Sequence, residues 1–157
     1  FAGDRHPGTS HGEQVGIATI SMSKFQNAIL KKDKPPIIYP TNIPEEEISQ
    51  KLGEPMLETI KKSMDPKIFD QKKADTTNEY FSKYWLEFVE PLREKMLDYD
   101  LIWNSMGECG ALRTPEDAKL DSNFYKDALK YGRFIRDRYT ILDLAGDSNQ
   151  LDNLINV

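Results

Sequence analysis

The residues best suited to hold a metal in this 157-residue chain are its two histidines, His6 and His11. Neutral imidazole is the commonest metal-ligating side chain. His11 stands inside Ser10-His11-Gly12-Glu13, the S-x-x-E form of a capping box, which puts the imidazole on the first turn of a helix. A surface histidine that merely begins a helix would look the same. A mononuclear catalytic metal takes three protein ligands and leaves a position open, and two histidines cannot supply the third. Cys109 is remote in sequence and reads equally as a small buried apolar residue. No acid stands at a helical ligand spacing from His11 such as H-E-x-x-H. A metal site built on His11 is therefore either incomplete within this chain or completed by carboxylates that the sequence does not single out.

Other chemistry has less support. No G-x-G-x-x-G follows a strand pattern and no G-x-x-x-x-G-K-[ST] occurs, so the chain carries no recognisable nucleotide cradle. No nucleophile elbow is present. Arg133, Arg136 and Arg138 could bind phosphate, but cations near a helix C-terminus also complement its dipole. Asp143, between Leu142 and Leu144, is expected to accept a salt bridge from Arg136 or Arg138.

The elements that would position these residues are helical. From the Ser10 cap a helix is predicted to about Lys31, with apolar residues on more than one face and therefore largely buried. Gly12 and Gly16 lie one turn apart on it, a spacing that admits close approach of a second backbone or a ligand. Pro35, Pro36 and Pro40 mark a linker, with Ile37-Ile38-Tyr39 as a short extended piece. Asn42 is expected to cap a short helix that has Glu45, Glu46 and Glu47 in its first turn and Gly53 past its end. Pro55 opens another, with Met56, Leu57, Ile60 and Met64 on one stripe, and a further helical stretch falls within Pro66 to Lys73. A long amphipathic helix is predicted from Asn78 to about Ser105, kinked or split at Pro91, with Tyr80, Phe81, Tyr84, Trp85 and Phe88 as a core stripe. Gly107 and Gly110 mark a turn, and Thr114 to Asp117 starts a short helical turn. Asp121 caps the last long helix, and Arg138 to Leu144 continues as a short one before a polar tail. With no alternating strand series, the fold class is all-α, organised as a single helical domain over residues 1–157.

Composition agrees. Hydrophobic residues make up 38% and charged residues 30% of the chain, as in a folded soluble domain rather than a disordered one. A net charge of -5 opposes phosphate backbones, so nucleic acid is not an expected partner. A lone cysteine forms no internal disulfide, which suits a reducing, cytoplasmic setting. No apolar run approaches the roughly 20 residues of a membrane span.

The segment Ser10-His11-Gly12-Glu13-Gln14-Val15-Gly16-Ile17-Ala18-Thr19 closely resembles the HGEQVG helix start of glycerol-1-phosphate dehydrogenases. These belong with iron-containing alcohol dehydrogenases, glycerol dehydrogenase and dehydroquinate synthase. Thr114-Pro115-Glu116-Asp117 and the run from Ile135 to Leu144 resemble the C-terminal region of the same family, in the same order and separation. The resemblance implies a C-terminal helical domain of the dehydroquinate-synthase-like fold. It implies that an N-terminal Rossmann-like domain binding NAD or NADP lies outside this chain. It also implies a divalent metal, zinc or nickel, between the two domains, held by an Asp and a His that precede this segment and by His11. His6 does not match the earlier histidine. The reaction implied is the reversible oxidation of sn-glycerol 1-phosphate to dihydroxyacetone phosphate, with the metal as Lewis acid on the reacting oxygen. This chain by itself, without the cofactor domain and two ligands, is expected to be inactive. A homo-oligomer is expected to cover an otherwise bare apolar face.

Two other readings remain open on the sequence. One is a non-catalytic helical interaction module derived from the same family. The other is a dehydrogenase of a different polyol or alcohol.

Overall fold

The Ser10 capping box forms at the spacing that predicts it. In the computed structural model, which describes residues 10–156, the Ser10 amide donates to Glu13 Oε2 at 2.7 Å and the Glu13 amide donates to Ser10 Oγ at 3.3 Å. Helix α1 (His11–Leu30) follows. The described residues contain helices, turns and irregular segments and no strand, so the fold is all-α. After α1 come α2 (Glu45–Leu52), α3 (Glu54–Met64), a 3-10 turn (Asp65–Lys67), α4 (Gln71–Arg93), α5 (Tyr99–Glu108), α6 (Ser122–Gly132), a second 3-10 turn (Arg133–Ile135), α7 (Ile141–Asp147) and α8 (Leu151–Ile155). None is long and apolar enough to cross a membrane.

The chain divides into two compact units. The first comprises the described residues up to Asp33 together with Leu86–Lys126. Here α1 packs against α5. A Cβ on Gly16 would lie 2.8 Å from Met106 Cε, near the end of α5. At the other end of α1, Asn27 Nδ2 donates to the Leu97 carbonyl at 3.2 Å and Asn27 Oδ1 accepts from the Tyr99 amide at 3.3 Å. The two helices are therefore antiparallel. Ile17, Ala118 and Leu120 form a core cluster, with Leu112 and Tyr125 packed against it. Arg93 closes the C-terminus of α1, donating to the Leu30 carbonyl at 2.7 Å and the Lys32 carbonyl at 2.9 Å. This follows from the four unpaired carbonyls at any helix end.

The second unit comprises Lys34–Trp85 together with the described residues from Asp127. Ile48, Leu57, Ile60, Met64, Tyr131 and Phe134 form a core cluster, so Leu57, Ile60 and Met64 of the predicted α3 stripe are buried, while Met56 is half-buried against them. Gly53 joins α2 to α3 at φ 86, in the region that favours glycine. The extended Ile38 is held by a side chain rather than a strand: its amide donates to Asn78 Oδ1 at 2.7 Å and its carbonyl accepts from Asn78 Nδ2 at 2.8 Å.

Several expectations give way. Pro44, not Asn42, precedes α2, and no side chain caps that helix. The stretch from Pro66 to Lys73 is a 3-10 turn, an extended link and the start of α4. The split expected at Pro91 falls just beyond it, with α5 beginning at Tyr99, but α4 starts at Gln71 rather than Asn78 and ends at Arg93. Its backbone leaves helical geometry at Tyr84 (φ -127°, ψ 16°) rather than at Pro91. Pro91 stands in the final turn, where it lacks the amide that would bond to the Glu87 carbonyl, and the helix ends two residues later. Tyr84 lies beside the point at which α4 passes from the second unit to the first. The aromatic run is two rows rather than one core stripe: Phe81, Trp85 and Val89 are buried, while Tyr80, Tyr84 and Phe88 are 40–49% exposed. In helix α1 Ile17, Ile20, Ser23, Phe25, Ile29 and Leu30 are buried, but Val15 near its start and Thr19 are exposed. Thr114 to Lys119 forms turns, with the Ala118 amide donating to the Thr114 carbonyl at 3.4 Å, so the expected helical turn is present but does not grow into a helix. Gly107 falls inside α5, and Gly110 alone takes the left-handed turn, at φ 68.

Candidate functional site

His11 is the second residue of the capping box and the first of α1, and its side chain is exposed. Burial of Ile17 and Ile20 in the first unit fixes the rotation of α1, and the Ser10–Glu13 pair fixes where it starts. The backbone bond from the Ser10 amide, then the Ser10 hydroxyl, hold the Glu13 carboxyl below the ordinary glutamate range. Gly12, beside His11, has open space where a Cβ would go, apart from Ser10 Oγ at 4.0 Å. The close approach expected at the two glycines is therefore made at Gly16 alone, and it is made by Met106.

Whether these residues suit a metal can be judged from the donor set. Among the described residues no three His, Cys, Asp or Glu side chains gather as a metal-holding group. His11 offers one donor where a mononuclear centre needs three. Cys109, exposed at the end of α5, is not the buried apolar residue that its type suggests. His6 lies outside the described residues. The described part of the chain does not by itself fit a metal.

The loop after α5 reaches the same end of the first unit as His11, because α1 and α5 are antiparallel. The Leu112 carbonyl oxygen would stand 4.0 Å from a Cβ on Gly16, which is about 7.5 Å along the axis from His11 at 1.5 Å per residue. The next residue, Arg113, folds back over α5. Its guanidinium carbon lies 4.4 Å from the centroid of Trp103, and Nη1 donates to the Trp103 carbonyl at 3.4 Å. Gly107 makes the notch it occupies, since a Cβ there would fall 2.6 Å from Nη1. Asp117 closes the loop by accepting from the Arg113 and Thr114 amides at 3.1 and 3.0 Å, and Thr114 Oγ1 accepts from the Asp117 amide at 3.1 Å. Those backbone bonds, ahead of the Arg113 charge, hold Asp117 below the ordinary carboxylate range. Sequence reading passed over Arg113; the signal available was an arginine six residues after a helical glycine and ten after a tryptophan.

The second unit holds a buried ion cluster. Lys67 Nζ lies 2.8 Å from Asp143 Oδ1, with both side chains at most 2% exposed. Arg133 Nε stands 3.5 Å from the same oxygen, and Arg133 Nη2 pairs with Asp147. Asp143 Oδ2 accepts from the Thr140 amide and hydroxyl, each at 2.8 Å. Tyr139 donates its hydroxyl to Asp147 Oδ2 at 3.1 Å. Burial first, then the Asp147 charge, pushes that phenol well above its ordinary range. Asp143 thus has the structural role expected of it, but with Lys67 and Arg133 as partners. Arg136 and Arg138 are exposed, whereas Arg133 is buried and belongs to the cluster rather than to the helix end. Two cations against two carboxylates leave no net charge to attract a ligand.

Comparison with known protein families, with curated proteins and with solved structures returned no match for this chain.

Proposed function

We propose that this chain is the helical part of a metal-dependent, NAD- or NADP-dependent sn-glycerol-1-phosphate dehydrogenase, with the dehydroquinate-synthase-like fold. Three features support the reading. The HGEQVG segment carries the resemblance. The capping box leaves its histidine exposed on a first helical turn, where a ligand shared with other polypeptide could be reached. The described residues form helices and no strand. In this reading His11 is one donor of a zinc or nickel centre, and the remaining donors and the coenzyme domain come from polypeptide outside this sequence. The substrates are glycerol 1-phosphate and dihydroxyacetone phosphate, and the exposed apolar residues are covered in a homo-oligomer.

The observation that carries the proposal is His11 on an ordered, capped helix start with its imidazole open to solvent. The test is reduction of dihydroxyacetone phosphate by NADH or NADPH with the protein as its gene encodes it, in the presence of zinc or nickel, beside a panel of other ketones and aldehydes. Turnover of dihydroxyacetone phosphate that requires metal supports the reading. Preferred turnover of a different carbonyl reassigns the substrate. No coenzyme-dependent turnover on any member of the panel, with no coding sequence for a coenzyme domain beside this one, overturns it.

A further inference from the structure

An arginine that is held still and has donors to spare is a ready oxyanion receptor. The guanidinium presents five N–H groups in a planar fork that matches phosphate or carboxylate oxygens in pairs. Arg113 meets both conditions. The Trp103 ring below it and the Gly107 notch beside it fix its plane. Its hydrogen bond to the Trp103 carbonyl uses a donor on Nη1 and no other guanidinium nitrogen. Among the described residues of the first unit, the other arginine, Arg93, is occupied by the Leu30 and Lys32 carbonyls and Asp33. The neighbouring Asp117 is turned to backbone amides instead of the guanidinium. Arg113 is only partly buried, so its remaining donors can be approached.

We propose that Arg113 is a binding residue for the phosphate of a small phosphorylated ligand. Its position gives the assignment a place in the candidate site, since the Gly107–Arg113 segment lies at the His11 end of the first unit. A phosphorylated three-carbon polyol anchored there by its phosphate would extend its hydroxyl-bearing carbons away from the guanidinium. That such a ligand is the substrate rests on the dehydrogenase reading; that Arg113 takes a phosphate does not. Specificity for phosphorylated over unphosphorylated ligands is the consequence, because a site built around a charged donor rejects the analogue that leaves the donor unpaired.

The experiment follows inorganic phosphate binding to the gene-encoded protein by 31P line broadening, with wild type, Arg113→Met, Arg113→Lys and Arg136→Ala. Met keeps the length and apolar contact of the side chain on Trp103 and removes the charge, and circular dichroism checks that each variant folds. The expected result is binding by wild type and Arg136→Ala, at least tenfold weaker binding by Arg113→Met, and partial recovery with Arg113→Lys. Equal binding by wild type and a folded Arg113→Met, or no binding by wild type, overturns the assignment. If Arg113→Met fails to fold, folded Arg113→Lys decides: binding as tight as wild type overturns the fork-geometry argument, and weakened binding upholds it. KM for dihydroxyacetone phosphate and for unphosphorylated dihydroxyacetone gives the second readout. An Arg113-dependent phosphate site in a protein that reduces neither compound removes the dehydrogenase reading and leaves the anion site standing.

Discussion

Lys67 and Asp143 face each other at 2.8 Å across 76 residues of sequence, with both side chains almost wholly removed from water. Lys67 also donates to the carbonyls of Arg133 and Arg138, and Asp143 accepts from Thr140 at the start of α7. The pair therefore ties the 3-10 turn after α3, the one after α6 and the N-terminus of α7 together inside the second unit.

The cluster is balanced, and breaking one member should cost more than removing a pair. Asp143→Ala leaves the Lys67 and Arg133 charges buried without their shared carboxylate, and such a change costs about 3–5 kcal/mol. Thermal or urea unfolding would show it as a large drop in midpoint. The double replacement Lys67→Met with Asp143→Leu should cost clearly less than Asp143→Ala. If the double variant is as unstable as the sum of the singles, the charges are not compensating each other.

Gly146 makes room for the same cluster. A Cβ there would overlap the Arg133 guanidinium, which lies against α7 on its way to Asp147. Gly146→Ala should destabilise by about 1–3 kcal/mol, the usual range for overpacking. Gly12→Ala, in open space, serves as the comparison, and its helical propensity makes it neutral or mildly stabilising. A wild-type midpoint for Gly146→Ala would mean that Arg133 is not fixed in this path.

What could be read from the sequence was local. The Ser10–Glu13 box, the Asp121 cap, which accepts from the Phe124 amide at 2.7 Å, and Gly53 past the end of α2 are each decided within a few residues. The buried stripe of α3 needed periodicity alone. Asp143 shows where that reasoning ends. Its place between Leu142 and Leu144 suggested a salt bridge to Arg136 or Arg138, but its partner Lys67 stands 76 residues away and nothing local marks it. The two rows of α4 show the same limit: Tyr80 and Phe81 are both aromatic, and only the packing of the second unit decides that Phe81 turns inward. His11 was legible as an exposed helix-start residue, while Arg113 was not, because its place depends on a notch and a ring formed by residues on another element.

The capping box makes the start of α1 sensitive to acid. The folded state holds Glu13 below its ordinary value, so its contribution is present at neutral pH and is lost as pH falls below the ordinary glutamate range. The protection of the first-turn amides of α1, taken as hydrogen exchange relative to the intrinsic rate at each pH, should therefore fall at acid pH before that of the rest of the helix. Glu13→Gln should abolish that dependence. Ser10→Ala removes the other half of the box and should cost about 1 kcal/mol of helix stability at every pH. An exchange rate at the α1 start that is the same for wild type and Glu13→Gln across this range would count against the box in solution.

His11 should matter for metal and turnover but little for folding. Its side chain is exposed, so His11→Ala is expected to change stability by no more than about 0.5 kcal/mol, as surface replacements do. If it is a metal donor, metal content should fall together with activity. Both losses should exceed the roughly 10–100-fold that a change in a ligand's outer partner causes. His11→Gln, which keeps size and polarity but coordinates weakly, should behave like His11→Ala. The measurements are metal analysis of the gene-encoded protein after dialysis and steady-state reduction of dihydroxyacetone phosphate. A His11→Ala protein that keeps full metal content and full turnover shows that the imidazole is an ordinary helix-start residue.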